Sequence, residues 1–324
     1  MLASIPSPPA NSLQIGPLNI HVYGVMIALG VLAAAWLARR RYEARGGNPD
    51  DISDLALWVV PAGLIGARVY HVLTDYQKTY CGPPTCAKSV FWDAFKVWDG
   101  GLGIPGAILG GTLVGIWYAR RHHIDIPRTM DVAAPAIPLA QAIGRWGNYF
   151  NQELFGRPTS LPWGLEIAPE HRPPRYIDSP TFHPTFLYES LWNLGVVGIL
   201  LWVDSKARLK PGKLFPAYVG LYFLGRMWVE EMRSDGAAMI GDFRFNFLLS
   251  CAMIAISAVW FFWGGPFAER GMDLRPFPEA APEPSEVHAG AAPEPSEVPA
   301  GTGDAGAGDA GGGDAGAGEQ ESGG

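Results

Sequence analysis

Apolar positions dominate this chain up to about residue 263. Seven largely apolar stretches follow one another, most of them close to the length that a helix needs to cross the hydrocarbon core of a bilayer. The fourth is the least regular, because it is short and contains Pro135 and Pro138. The pattern predicts an all-α, polytopic integral membrane protein with about seven transmembrane helices. The predicted spans are 18–38, 52–73, 101–119, 132–145, 185–203, 214–229 and 243–263.

Basic residues are concentrated in every second loop. Short basic loops remain on the cytoplasmic side of a membrane, so we expect the N-terminus outside and the C-terminus inside. Residues 1–19 contain four prolines and no Lys or Arg, so they do not resemble a cleavable signal peptide, and the first span should be retained. The basic residues after the first, third and fifth spans are Arg39, Arg40, Arg41, Arg45, Arg120, Arg121, Arg128, Lys206, Arg208, Lys210 and Lys213.

The composition changes after Pro266. Pro, Glu, Ala, Gly and Asp dominate there, and Pro-Glu-Pro-Ser-Glu-Val occurs twice. Such a segment cannot bury a hydrophobic core, so we predict a disordered cytoplasmic tail at 266–324 behind a membrane domain at 1–265. The formal net charge of -7 comes partly from this tail and does not describe the folded body. We expect no nucleic-acid partner.

Polar residues interrupt the apolar pattern at 144–156, where the fourth span ends. If the helix continues through this stretch, Arg145 shares one face with Asn148 or Tyr149 and with Gln152 or Glu153. A polar stripe of this kind cannot face lipid. We therefore expect it to face a cavity, a partner helix or a substrate.

Other polar residues lie at the same outer ends of the predicted spans. Glu189 requires a partner, because an unpaired carboxylate in hydrocarbon is strongly unfavourable. Arg226, Glu230 and Arg233 are spaced i, i+4 and i+7, which predicts a ladder on one helix face. The ladder is either a structural set of ion pairs or, with its excess of arginine, a phosphate site. Together with Arg145, it indicates an anionic lipid headgroup held at the outer face.

The loop and glycine-rich segment between the second and third spans are open to several interpretations. Cys81 and Cys86 form either a disulfide or two free thiols in an outer loop. The four-residue spacing of Gly106 and Gly110 favours close packing of membrane helices, while residues 98–105 fit a bent or re-entrant start. Arg68, at the end of the second span, either snorkels or contacts a phosphate headgroup.

The polar motifs together resemble the prolipoprotein diacylglyceryl transferase family over roughly residues 15–263. One motif is Gly-Arg-Trp-Gly-Asn-Tyr-Phe-Asn-Gln-Glu at 144–153. Another is His-Pro-Thr-Phe-Leu-Tyr-Glu at 183–189, and a third is Arg-x-x-x-Glu-x-x-Arg at 226–233. Tyr23-Gly24 and Trp-Asp-Gly-Gly at 98–101 add to the similarity.

The resemblance implies a bacterial enzyme that acts without a metal or organic cofactor at the outer face of the cytoplasmic membrane. It would move the diacylglyceryl group of phosphatidylglycerol to the lipobox cysteine thiol of a prolipoprotein, forming a thioether and releasing glycerol phosphate. Arg145 and Arg226 would bind the phosphate and stabilise its charge. The other residues that the resemblance assigns to catalysis or lipid binding are Tyr23, Asn148, Asn151, Glu153, Gly156, His183, Glu189, Glu230 and Arg233.

The chain departs from the family at Pro105, where many relatives carry a histidine to which a base role has been assigned. The thiol proton would then be taken by Glu153, Glu230 or His183, or the thiol would be activated by the arginines alone. Two other functional classes also fit a polar cluster in a membrane protein. These are a lipid or anion transporter and a scaffold that only binds lipid.

Overall fold

The computed structural model describes residues 4–16, 18–75, 101–207, 209–234, 239–241 and 243–264. In this part of the chain the protein is mostly helical, as predicted. The α-helices are α1 (Val22–Glu43), α2 (Pro49–Asp75), α3 (Ile104–Arg121), α4 (Ile126–Asn151), α5 (Thr185–Lys206), α6 (Leu214–Met232) and α7 (Phe245–Trp263). Three short antiparallel hairpins join β1 (Ser12–Ile15) to β2 (Leu18–His21), β3 (Leu165–Glu166) to β4 (Thr181–Phe182), and β5 (Met239–Ile240) to β6 (Phe243–Arg244).

Four of these helices, α1, α2, α5 and α7, are long and apolar enough to cross a membrane. The predicted first span began too early, because residues 18–21 pair with β1 as a strand and the helix begins at Val22. Several predictions concern residues outside the described part of the chain. These are the pairing of Cys81 and Cys86, the motif at 98–100 and the tail at 266–324.

The fourth helix is longer than the apolar run that predicted it. Its first turn is capped by the Asp125 carboxylate, which accepts a hydrogen bond from the Arg128 N–H at 3.1 Å. Pro135 lies inside the helix and cannot donate to the carbonyl of Asp131, one turn earlier. The Arg41 guanidinium donates to that carbonyl at 3.1 Å instead. A neighbouring helix therefore supplies the donor that the proline lacks.

Small residues bring α2 and α3 into backbone contact, as the glycine spacing predicted. A Cβ added to Gly66 would lie 2.3 Å from the carbonyl oxygen of Gly106, and one added to Gly110 would lie 2.6 Å from that of Ala62. Before α3 begins, the Gly103 N–H donates to the Ala67 carbonyl at 2.9 Å. The non-helical residues 101–103 therefore lie along the end of α2, where their backbone is paired with protein.

Two arginines at and just beyond the end of α1 bind an acidic residue of α5, and an acidic residue of α4 caps α6. Arg41 and Arg45 both contact the Asp204 carboxylate, at 3.2 and 2.6 Å. The Asp131 carboxylate accepts the backbone N–H groups of Gly212 and Leu214 at 2.7 and 2.9 Å, and so caps the start of α6. The basic residues from which the topology was predicted therefore also form structural contacts.

The segment between α4 and α5 folds into a small subdomain at the opposite end of the bundle. Phe155 and Phe182 lie in its core, with ring centroids 4.7 Å apart. Ile5 adds an edge to this subdomain, because its N–H donates to the Gly164 carbonyl at 2.9 Å and its carbonyl accepts from the Glu166 N–H at 2.8 Å. The N-terminal segment and this subdomain therefore lie at the same end of the protein.

Candidate functional site

Five charged side chains alternate in sign across the ends of α4, α5, α6 and α7 that lie nearest the subdomain. Glu189 pairs with Arg145 on one side and with Arg226 at 3.5 Å on the other. Glu230 in turn pairs with Arg226 at 2.6 Å and with Arg244 at 2.8 Å. We call these five residues the charged row. Three arginines and two glutamates give it a formal charge of 3 − 2 = +1.

Burial explains why both glutamates have two cations each. Glu230 is fully buried, and Glu189 is 8% exposed. A buried carboxylate without partners would be strongly unfavourable, whereas two guanidinium groups and the Asn246 amide, 3.3 Å from Glu230, compensate for the lost solvation. The prediction that Glu189 has a partner is therefore confirmed, as is the i, i+4 pair of Arg226 with Glu230.

The ladder expected on α6 is wrong at its last position. The helix ends at Met232, and Arg233 has the extended backbone angles φ -69° and ψ 143°. Arg233 is buried, and its backbone pairs with Gly156 in an isolated bridge. The second cation of Glu230 is Arg244, which precedes α7 and which sequence reasoning missed. The available signal was an arginine at the start of the last predicted span, at the end that the sequence places on the same side as the other polar residues.

The helix that carries Arg145 continues beyond the predicted span but ends at Asn151, before it reaches Glu153. Gln152 adopts a left-handed conformation with φ 50°, so Glu153 lies beyond the helix and off its face. The carboxylate of Glu153 nevertheless accepts hydrogen bonds from the side-chain amides of Asn148, at 3.0 Å, and Asn151, at 3.3 Å. The chain reversal therefore brings the predicted polar residues together by a route that helical spacing did not predict.

Tyr23 lies next to the same part of α4. A Cβ added to Gly147 would lie 2.4 Å from Cδ2 of the Tyr23 ring, so the absence of a side chain at Gly147 makes room for the tyrosine. The next residue, Asn148, donates a hydrogen bond to the Glu153 carboxylate. Tyr23 is thus placed at the margin of the polar cluster and is 37% exposed.

Gly156 and His183 lie behind this cluster in the subdomain. The Gly156 N–H donates to the His183 carbonyl at 2.9 Å, and a Cβ at Gly156 would lie 2.7 Å from that of His183. The Nδ1 atom of His183 lies 3.3 Å from the hydroxyl of Tyr188, which also accepts from the Trp163 indole at 3.0 Å. Partial burial lowers the pKa of His183 below its usual value and so favours the neutral ring.

A small pocket opens between α5 and α6 beneath the charged row. Its lining includes Glu189, Asn193, Tyr222 and Arg226. Asn193 is 2% exposed, and its Oδ1 atom has no hydrogen-bond partner among the described residues. A site with this many polar groups suits a buried water molecule. Asn193 and Tyr222 were not predicted as site residues, although both lie four residues from a member of the row.

The remaining predicted features of the site concern α3 and metal ions. Pro105 is exposed in the first turn of α3 and has no titratable group. Within the described residues, no group of three or more His, Cys, Asp or Glu side chains is arranged to hold a metal ion. The side chains at the site supply guanidinium, carboxylate, amide, imidazole and phenol groups.

The fold and the charged row define a helical membrane protein with a cluster of net positive formal charge at one end of its bundle. Residues 10–263 match the prolipoprotein diacylglyceryl transferase family, and the chain belongs to that family of membrane enzymes. It is 48% identical to phosphatidylglycerol–prolipoprotein diacylglyceryl transferase 2 of Streptomyces coelicolor, over 79% of this chain and 82% of the relative. It is 51% identical to the transferase of the same name from Cutibacterium acnes, over 75% and 80% of the two chains. A relative from Corynebacterium efficiens is 44% identical over 86% and 88%.

Proposed function

We propose that this protein transfers the diacylglyceryl group of phosphatidylglycerol to the lipobox cysteine thiol of prolipoproteins. The products are a thioether-linked lipid and glycerol phosphate. The names of the relatives support this reaction, since each is a phosphatidylglycerol–prolipoprotein diacylglyceryl transferase. The observation that carries the proposal is the charged row, because its net positive charge suits the phosphate of the lipid.

Arg145 and Arg226 bind the phosphate in this mechanism. Their side chains are 20% and 15% exposed and both contact Glu189, so each arginine is partly accessible from the surface. The shared carboxylate fixes both arginines before the lipid arrives. Charge that develops on the departing phosphate oxygen then meets preoriented donors, which lowers the barrier without reorganisation. Glu230 and Arg233 support this arrangement from the end of α6.

The residues around Asn148 orient the lipid headgroup. Glu153 holds the amides of Asn148 and Asn151, and Tyr23 borders the cluster. Gly156 contributes by allowing the backbone to pass close to His183. Of the groups considered for accepting the thiol proton, Glu230 is the least suited because it already compensates two guanidiniums. Glu153 and His183 retain that role as alternatives.

We further propose seven spans, with the site at the outer leaflet of the bacterial cytoplasmic membrane. The N-terminus lies outside, and residues 266–324 form a cytoplasmic tail beyond the membrane domain at 1–265. The contact of Ile5 with the subdomain supports a common side for the N-terminus and the charged row. The cluster of Arg41, Arg45 and Asp204 at the other end supports a cytoplasmic location for the basic loops.

The test is a transfer assay with labelled phosphatidylglycerol and a synthetic lipobox peptide in proteoliposomes. The unmodified protein should form the thioether product, and Arg145→Ala should lose at least about 100-fold in kcat, as expected for removal of a preorganised donor. Arg39→Ala is the matched control, because Arg39 forms an exposed pair with Asp50 at 3.2 Å and should leave transfer unchanged. Movement of labelled lipid across vesicles without thioether product would instead indicate a transporter. An Arg145→Ala protein with full transfer activity would contradict the mechanism.

A further inference from the structure

A polar but uncharged residue lies one helical turn below each of three members of the charged row. Residues four apart share one face of a helix, so these side chains form a second set on the side of the row that points away from the subdomain. We call this set the polar layer. It consists of Gln141 below Arg145 on α4, Asn193 below Glu189 on α5, and Tyr222 below Arg226 on α6.

Two members of the polar layer carry a buried oxygen atom that lacks a partner. Oε1 of Gln141 and Oδ1 of Asn193 are buried, and neither accepts a hydrogen bond from any described residue. The whole of Asn193 is only 2% exposed. A buried acceptor without a donor is costly, and proteins commonly satisfy such groups with ordered water. The polar layer therefore requires donors that the described side chains do not supply.

The pocket between α5 and α6 provides space for a donor at Asn193. Its walls include Glu189 and Arg226 of the charged row and Asn193 and Tyr222 of the polar layer. Its volume of about 10 Å³ has room for about one water molecule. A water molecule in this pocket is surrounded by an amide, a phenol, a carboxylate and a guanidinium, which supply the two to four partners that a buried water needs.

Arg226 is held more firmly on one side than on the other. It contacts Glu230 at 2.6 Å but Glu189 only at 3.5 Å, which is at the limit for a hydrogen bond. A guanidinium has five N–H donors, so Arg226 retains donors for a further partner. Because the pocket borders Glu189, a water molecule in it lies on the side where Arg226 is weakly held.

We propose that Asn193 is a positioning residue that holds the Arg226 guanidinium through one buried water molecule. The inference rests on the proposed transferase function and adds to it a residue that acts through Arg226. Negative charge increases on the departing phosphate oxygen in the transition state, and a donor that is fixed beforehand stabilises this charge without reorganisation. Loss of the water-mediated contact therefore lowers kcat, whereas a more mobile cation still binds the phosphate of the lipid.

Asn193→Leu provides the test, because leucine is similar in size but has no acceptor. In the proteoliposome transfer assay its kcat should fall about 3- to 10-fold, the effect of one lost hydrogen bond, while phosphatidylglycerol affinity changes less than about twofold. The Tm should fall by less than about 3 °C, since an apolar side chain replaces an amide with an unpaired oxygen. Asn193→Ser keeps an acceptor for the water and should retain at least about half of the original kcat.

Ser257→Ala is the matched control for the loss of a buried polar group. Ser257 is 4% exposed, and its hydroxyl donates to the Ile254 carbonyl at 2.8 Å within α7. This variant should leave kcat unchanged. The inference is wrong if Asn193→Leu has the same kcat as Ser257→Ala. Equal losses of kcat and lipid affinity, or a Tm that falls together with activity, would assign Asn193 a purely structural role.

A crystal structure that resolves ordered water separates the inference from the function on which it rests. We expect one water molecule within about 3.2 Å of both the Asn193 amide and the Arg226 guanidinium. An Asn193 amide bonded directly to a protein donor, with no water in the pocket, would overturn the inference even if Asn193→Leu does not fold. Absence of thioether product with the unmodified protein would instead contradict the proposed function, whatever the pocket contains.

Discussion

Replacement of Glu189 by glutamine tests how much the ion pairs of the charged row stabilise the protein. The substitution preserves shape but removes the carboxylate shared by Arg145 and Arg226. Breaking a buried ion pair by neutralising one partner costs about 3–5 kcal/mol. The two arginines are 20% and 15% exposed, so solvent offsets part of this loss and the lower value, about 3 kcal/mol, is expected. The formal charge of the row rises from +1 to +2 because one glutamate fewer opposes the three arginines.

Thermal unfolding of the purified protein in detergent is the measurement. With about 2–4 °C per kcal/mol for a domain of this size, Glu189→Gln should lower the Tm by about 6–12 °C. Phosphatidylglycerol affinity should fall little, since the positive charge increases, whereas kcat should fall because the arginines lose their fixed geometry. Asp50→Asn is the control, because its pair with Arg39 is 70% exposed on the aspartate side and should shift the Tm by less than about 3 °C. An unchanged Tm in Glu189→Gln would refute the reasoning.

Two further substitutions test the ends of the row and the helix packing. Arg244→Met removes one of the two cations from buried Glu230 and leaves the row neutral. Phosphatidylglycerol affinity should therefore fall more than about tenfold in a lipid-binding assay. Unchanged affinity would show that Arg244 is not part of the anion site. Gly66→Leu forces α2 away from α3, because its Cβ would overlap the Gly106 carbonyl, and it should destabilise the protein by at least about 1–3 kcal/mol in thermal unfolding. The control is Gly195→Leu, whose Cβ has open space, and equal Tm values for the two variants would contradict the close contact.

Periodicity in the sequence was sufficient to predict the helices and the contacts within one helix. Every predicted span corresponds to an α-helix, and Arg226 and Glu230 pair at the spacing that one helical turn imposes. The requirement that Glu189 be paired also followed from sequence, since a carboxylate in an apolar span must be compensated. The sequence did not show which arginines compensate Glu189. Their identity depends on how α4, α5 and α6 pack, and that packing arises from many weak contacts with no local signature.

The helix ends show a different limit of sequence reasoning. The apolar run predicted fourteen residues for the fourth span, whereas α4 has 26 residues and includes Pro135. Proline disfavours a helix interior through the hydrogen bond that it cannot donate and through the clash of its ring with the carbonyl one turn earlier. Arg41 supplies a donor to the carbonyl concerned, from a helix ninety residues away in sequence. A local rule therefore failed where a distant side chain offsets part of the penalty on which the rule is based.

The reversal at Gln152 has the same origin and bears directly on the site. If the helix continued, Glu153 would lie further along its axis. The left-handed Gln152 instead turns the chain, so that the Glu153 carboxylate accepts a hydrogen bond from Asn148. Glutamine tolerates this conformation here because its side-chain oxygen accepts the Ala168 N–H at 2.8 Å, which anchors the turn to the subdomain. The polar stretch at 144–156 is thus a helix end folded back on itself and not a continuous stripe. Its geometry depends on the subdomain, so substitutions at Gln152 should disturb Glu153 and Asn148 more than the arginines of the row.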